Sequence, residues 1–386
     1  MSGYESYFKG DRTIWGIVTF LAILSVLAVY SSTGTLAYKY QSGNTEFYLI
    51  RHFSILVLGF GVMYFCHLLK YTVYARFSKI GLFIAVPLLL FTLLMGSNIN
   101  EANRWITLPI INLSFQTSDL AKVALILYIS RVLSKKQDNI KDFKEAFLPV
   151  MIPVLLVCGL ILPANFSTAA VLFTTSLVIM FIGRISVKYI AGICGVAVLA
   201  FGLFLGIAYL VGYEGRITTW KARIENFSKG EADGNYQVEQ AKIAVATGGI
   251  LGKGPGNSTQ RNFLPHPYSD FIFAIIIEEY GLMGGTFVVF MYLLLFYRAL
   301  MIVKRTERAF AALVTIGSAF SLVFQALINM AVAVNLFPVT GQPLPMLSMG
   351  GTSIWFTSFA LGVILSVSGE PEFQKENIKE PEVALA

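Results

Sequence analysis

Three carboxylates follow a glycine-rich stretch in this chain, and their surroundings suit acid–base work on an anionic substrate. The stretch reads Gly248-Gly249-Ile250-Leu251-Gly252-Lys253-Gly254-Pro255-Gly256-Asn257-Ser258. So many glycines disfavour a helix or strand interior, and a run of this kind can bring backbone N–H groups close to an anion. Asp270 then stands at the mouth of an apolar segment, with Glu278 and Glu279 about two turns deeper if that segment is helical. A carboxylate at such depth is costly unless it is used, paired or wet. Asp270 therefore has two readings, a helix N-cap or a general base or divalent-cation ligand (Mg²⁺ or Mn²⁺) at a water-filled mouth. Glu278 and Glu279 project about 100° apart on a helix and so belong to separate contacts, structural or charge-pairing.

Two further constellations carry chemistry. Asn103-Arg104-Trp105-Ile106 precedes Gln116-Thr117-Ser118-Asp119, and Lys122 follows Asp119 by three residues, so the pair can share a helix face. Thr117 or Ser118 suits an N-cap, and Asp119 suits a first turn. Arg104 beside Trp105 fits either a headgroup anchor or a phosphate ligand. Pro343-Leu344-Pro345-Met346-Leu347-Ser348-Met349-Gly350-Gly351-Thr352-Ser353 breaks the start of an apolar run, and irregular backbone at membrane depth implies a cavity or a protein cover. His266, four residues before Asp270, is a candidate assistant to it. His52 and His67 read as packing residues, and Cys66, Cys158 and Cys194 lack metal-ligand spacing and read as small core residues.

The elements that must hold these groups are membrane spans. Of 386 residues, 56% are hydrophobic and only 13% charged, against about a quarter charged in soluble domains. Mean hydropathy is +0.69. Ten apolar runs cover roughly 13–33, 48–69, 78–96, 115–134, 147–163, 166–184, 187–212, 281–303, 308–333 and 347–369. The fold class expected is an all-α polytopic membrane protein with ten transmembrane helices and a large extracytoplasmic loop, 213–280, between the seventh and eighth. Residues 1–12 and 370–386 flank the membrane domain, the second as a polar tail expected to be disordered. No cleavable signal pattern precedes the first run. Lys and Arg accumulate in alternate short loops, which puts both termini in the cytoplasm and the 97–114, 213–280 and 334–346 segments outside. That bias explains the basic balance without nucleic acid. Arg216 to Gly230 reads as an interfacial amphipathic helix, and Gln237 to Thr247 as a short helix capped at Gly248.

These motifs, in this order and across nearly the whole length, resemble the shape, elongation, division and sporulation (SEDS) family of FtsW, RodA and SpoVE. The resemblance rests on Asn103 to Lys122, on Tyr236-Gln237 through the glycines to Asp270-Phe271-Ile272-Phe273 and Glu278-Glu279, and on Pro343 to Ser353. It implies a peptidoglycan glycosyltransferase that polymerises lipid II into β-1,4-linked strands on the outer face of the inner membrane and releases undecaprenyl pyrophosphate. The family's essential loop aspartate falls on Asp270. Gly256-Asn257-Ser258-Thr259-Gln260 is closest to the division branch, which implies septal work, with an elongation role as the alternative branch. Thr117, Asp119, Asn165 and Met349 depart from the family's usual Pro, Glu, Asp and Tyr, and His266-Pro267-Tyr268 from its Glu-x-His.

On this reading Asp270 activates the acceptor hydroxyl, alone or through a bound Mg²⁺ or Mn²⁺. Arg104, Lys122, Lys242 and Lys253 are the candidate pyrophosphate ligands, helped by the glycine-rich backbone. Asp119, Gly254, Asn257, Ser258, Gln260, Ser348, Gly350, Gly351 and Ser353 complete the candidate substrate contacts. The family also implies a class B penicillin-binding protein as transpeptidase partner, among other division proteins of the membrane. Competing readings are a lipid II flippase, a non-catalytic scaffold for the transpeptidase, and a polymerase of another polysaccharide.

Overall fold

The computed structural model describes residues 9–99, 102–108, 113–211 and 236–369. Each of the ten apolar runs is helical there. We number the helices α1 Arg12–Ser32, α2 Gly34–Tyr40, α3 Thr45–Leu68, α4 Tyr71–Met95, α5 Thr117–Lys135, α6 Leu148–Ile161, α7 Phe166–Ile182, α8 Val187–Val211, α9 Tyr236–Gly248, α10 Ile272–Lys304, α11 Ala309–Ala333 and α12 Thr352–Ser368. Among the described residues six stretches are long and apolar enough to cross a membrane: α1, α3, α4, Phe143–Ile161, α10 and α11. Phe166–Ile182, Val187–Ala200 and Thr352–Ser368 are shorter apolar helices. The chain is a mostly helical, polytopic membrane protein. The expected helix at 216–230 and the polar tail beyond 369 lie outside the described residues.

Burial marks α11 as the central helix: 72% of its most apolar 18-residue window is inside the protein, against 28% for α4 and α10. It packs against α5, α7, α10 and α12, while α3 lies along α12 and α4 along α5. Lipid-facing helices keep large apolar side chains such as Phe83 and Leu94 exposed, because hydrocarbon replaces the core as their solvent.

Four features differ from the sequence expectations. The segment before α5 is a three-stranded antiparallel sheet, β1 Ser97–Ile99, β2 Ala102–Leu108 and β3 Leu113–Gln116, with Trp105 opposite Gln116 and Thr107 opposite Ser114. Helix α10 starts at Ile272 rather than 281, since Ile272 to Ile277 are buried and turn helically although Glu278 and Glu279 interrupt their hydropathy. The N-cap of α10 is Phe271, so Asp270 does not cap it. Gln116, not Thr117 or Ser118, occupies the N-cap of α5, and no side-chain cap bond forms there.

Helix α10 is itself broken. Gly281 has φ 72° and ψ −177°, a conformation that favours glycine. A Cβ there would stand 2.1 Å from the Ile250 carbonyl oxygen. In place of the missing helical rungs, Leu282 N–H donates to Gly249 O (2.9 Å) and Met283 N–H to Ile250 O (3.3 Å).

Candidate functional site

The Gly-rich stretch does bring N–H groups to an anion of the protein itself: Gly256 and Ser258 donate theirs to the Glu279 carboxylate, and Thr259 and Gln260, just beyond the stretch, donate theirs to Glu278. Its fully buried carboxylate accepts from Lys253 Nζ (2.5 Å), Ser258 Oγ (2.5 Å), Thr259 Oγ1 (2.8 Å), Thr259 N (3.2 Å) and Gln260 N (3.2 Å). Lys253 and Gly254 also donate backbone N–H groups to the carbonyls of Glu278 and Glu279, each at 2.9 Å. Asn257 Nδ2 closes the turn on Lys253 O (3.0 Å). Glu279 accepts from Ser31 of α1, whose carbonyl and hydroxyl also take the Arg261 guanidinium at 3.0 and 3.1 Å. The two glutamates thus serve different contacts, as their angular separation requires. Charge-assisted bonds of this number fix the loop onto the outer turns of α10.

A second set of candidate residues meets elsewhere, in a cavity of about 420 Å³ between α3, α5, the 266–270 segment and the irregular chain before α12. Asp270, Asp119, Lys122, Gly350, Gly351 and Ser353 all line it, together with His266. Lys253, Gly254, Asn257, Ser258 and Gln260 do not, and neither does Lys242, which is exposed on α9. Arg104 lies on β2, with its side chain outside the described residues.

Asp270 is half-buried and held by its backbone. Asn329 of α11 donates from Nδ2 to Asp270 O (2.9 Å) and to Gln342 O (2.7 Å). Ser348 sits behind the cavity wall, donating to Ser269 O (2.6 Å) and accepting from Leu344 N (2.8 Å), while Met349 N reaches Tyr268 O (2.9 Å). Tyr292, fully buried, donates to Pro345 O. The broken segment is thereby sewn to the loop that carries Asp270, which satisfies backbone groups that a helix would otherwise pair internally. Ser269 Oγ donates to Asp270 Oδ1 (3.0 Å). Gly341 borders this carboxylate at φ 65°, a backbone that favours glycine; a Cβ there would make only an ordinary contact, 3.8 Å from Asp270 Oδ2.

Across the cavity, Lys122 pairs with Asp119 at 2.8 Å and donates to Gln325 Oε1 (3.2 Å), whose amide donates to Pro343 O (2.9 Å). Asp119 is 3% exposed and its Oδ2 has no hydrogen-bond partner among the described residues. A smaller cavity of about 30 Å³ adjoins this pair beside Ser318 and Ser321, room for a water or two. Removing Lys122 alone should therefore be severe. Lys122→Met leaves Asp119 buried and unpaired, an expected cost of about 3–5 kcal/mol. A detergent melt should show a large loss of stability for Lys122→Met, largely restored in Lys122→Met/Asp119→Leu. Equal melts for the wild type and the single variant would contradict this pairing.

Arg51, Gln325, Asn329 and Tyr268 were not singled out from the sequence. Gln325 and Asn329 had a usable signal, being polar within an apolar run and four residues apart on one face. Arg51 had none beyond its charge at the start of α3. Tyr268 is outside the spans, and burial first, then neighbouring charges, raises its phenol above the usual range, so it acts as a neutral hydroxyl. Among the described residues no cluster of three or more His, Cys, Asp or Glu could cage a metal. A cation at Asp270 would rest on one carboxylate, water and substrate oxygens, a donor set that suits Mg²⁺.

With this geometry in hand, the chain can be set beside known proteins. A family model described as cell cycle protein, FtsW/RodA/SpoVE, matches residues 11–372. A probable peptidoglycan glycosyltransferase FtsW from Trichlorobacter lovleyi is 31% identical over 366 residues, covering 93% of both chains. Stage V sporulation protein E of Bacillus subtilis is 31% identical over 363 residues, covering 91% of this chain and 95% of that protein. A chain solved in a peptidoglycan synthase complex superposes with a TM-score of 0.72 at 24% identity, covering 93% and 97%. The rod shape determining protein RodA of Thermus thermophilus gives 0.68 at 22%, covering 94% and 98%.

Proposed function

We infer, from the premise that this chain belongs to the FtsW/RodA/SpoVE family of cell cycle proteins, that it is a peptidoglycan glycosyltransferase of cell division. Its substrate is then lipid II. Relatives 31% identical over more than nine-tenths of both chains carry that activity or a sporulation role in their names. The observation that supports the reading within this chain is the shared cavity: one half-buried acid, Asp270, facing the same space as the Lys122 cation.

The chemistry follows from those two groups. The C4 hydroxyl of an acceptor sugar attacks the anomeric carbon of a donor, forming a β-1,4 C–O bond as the bond to pyrophosphate breaks. Asp270 takes the hydroxyl proton, a step in which a placed base contributes about 10²–10⁴-fold. Lys122 from the α5 side of the cavity and Arg51 from the α3 side hold the departing undecaprenyl pyrophosphate. Gly350, Gly351 and Ser353 line the same cavity from the chain that opens α12 and offer it a backbone face. In the alternative, a divalent cation held by Asp270 and substrate oxygens would activate the acceptor hydroxyl in its place.

We further propose that all ten apolar helices cross the inner membrane, with both termini cytoplasmic and the cavity opening outward, and that the septum is the working site. The partner would be a class B penicillin-binding protein, a reading supported by the fold neighbour having been solved within a synthase complex.

The test is polymerisation of purified lipid II by the purified protein, alone and with that transpeptidase, with products resolved by length. Polymer formation is the expected result. Transfer of lipid II across a bilayer with no polymer under either condition would replace this reading with a flippase. Chelation by EDTA should slow the reaction, and Mg²⁺ or Mn²⁺ should restore it; a rate indifferent to chelator would remove the cation.

A further inference from the structure

Two contacts between α1 and α10 act as depth marks. At one end of the pair, Arg298 Nε of α10 donates to Asp11 Oδ2 at the cap of α1 (2.8 Å). At the other, Ser31 of α1 donates to Glu279 of α10. At the helical rise, Asp11 and Ser31 stand about 30 Å apart, the depth of a bilayer's hydrocarbon layer. Both helices are long and apolar enough to cross a membrane, so the two contacts bracket that layer. Tyr30, exposed beside Ser31, is the kind of aromatic that such an edge favours. Along the unbroken shaft of α10, Met283 lies about 22 Å from Arg298 and so falls inside the outer edge.

The Gly-rich loop reaches down to that depth. Its Gly249 and Ile250 carbonyls take the N–H groups of Leu282 and Met283. Those two side chains are exposed, and Phe287 and Phe290 continue the exposed apolar face along the shaft. Gly252, at φ 81°, presses the loop onto α10, since a Cβ there would stand 2.3 Å from the Glu279 carbonyl oxygen. Between the two glycines, Ile250 and Leu251 project outward, 68% and 78% exposed. Lys253 turns its ammonium to Glu278 (2.5 Å), which keeps that charge out of lipid. Single exposed apolar residues need no explanation. An adjacent pair bonded by its backbone to a lipid-facing helix, at hydrocarbon depth, does.

We propose that Ile250 and Leu251 insert among the acyl chains of the outer leaflet and fix the depth of the loop that Glu278 and Glu279 hold. The partner is the bilayer itself, met by a loop tip and not by a span. Burying the pair in acyl chains recovers the transfer energy that water would deny it. The insertion rests on α10 crossing the membrane and not on the polymerase reading; only the choice of leaflet follows the orientation proposed above.

The experiment places a nitroxide at Leu251→Cys in the full chain, in nanodiscs of phosphatidylcholine and phosphatidylglycerol. Cys194→Ser removes the partly exposed native thiol, while Cys66 and Cys158 are buried. Labels at Phe290→Cys, on the lipid-facing shaft, and at Lys242→Cys, exposed on α9, are the references. Oxygen should relax the label at 251 more strongly than a water-soluble nickel chelate does, as at 290, and the order should reverse at 242. Ile250→Cys gives a second position with the same expected result. A nickel chelate that relaxes both tip labels as strongly as the 242 label would overturn the insertion, and so would labels shielded from both reagents, which mark a protein cover. Ile250→Ser/Leu251→Ser should keep the wild-type melt, because neither side chain is packed, and should slow polymerisation several-fold. Wild-type turnover in that pair would overturn the depth setting. The readings fail separately: the labels report without any reaction, so a wild type that makes no polymer leaves their result standing.

Discussion

Asp270→Asn is expected to reduce lipid II polymerisation by about 10²–10⁴-fold, the contribution of a placed general base. The substitution keeps volume, and the Ser269 hydroxyl can still donate to the side-chain oxygen that remains. Nor does it touch the backbone clamps from Asn329, Ser348 and Met349. Folding should therefore be unchanged, and a detergent melt within error of wild type is the necessary control. Asp270→Glu lengthens the arm and shifts the carboxylate off the position its clamped backbone sets, and should also lose most of the rate. An Asp270→Asn protein that makes polymer at more than a tenth of the wild-type rate would remove this residue as the base.

Glu278→Gln should strike stability rather than chemistry. The carboxylate is surrounded by donors alone: Lys253, Ser258, and the main-chain groups of Thr259 and Gln260. An amide there turns one acceptor oxygen into an NH₂ that faces other donors, and it strands the Lys253 charge. Lys253 keeps 30% of its side chain exposed, so water takes up part of its charge, and the loss comes chiefly from the unmet buried donors, about 1–3 kcal/mol each. Limited proteolysis should then cut within 249–262 faster than in the wild type, and the melt should fall. Adding Lys253→Met should recover part of the loss, because the stranded cation is gone. A Glu278→Gln protein with wild-type protease resistance would show that the loop is held by something else.

How the fold and site emerged from sequence depended on the range of each interaction. The ten apolar runs lie on helices because hydropathy is a property of each segment alone, whereas the sheet before α5 depends on pairing between segments. Its seven-residue β2 is too short to separate from a loop without its partners. The Asp119–Lys122 pair was legible because both members sit on one helix face. Lys253 was assigned to a substrate phosphate because a glycine-rich loop with a lysine announces an anion without naming it. The anion it meets is twenty-five residues downstream in the same chain. Arg51 and Asn329 reach the Asp270 neighbourhood only through packing of α3 and α11, information that no local pattern holds.

The splice at Gly281 has a last consequence. Because the helical ladder stops there and the rungs beyond it come from Gly249 and Ile250, the upper stub of α10 takes its tilt from a peptide shim, not from the shaft beneath. The number of residues between Gly249 and Lys253 is then a thickness gauge for the platform on which Asp270 stands. One residue added to that shim would lift or roll the platform without altering a single group in the cavity, and turnover would register the change as surely as a mutation of the acid itself.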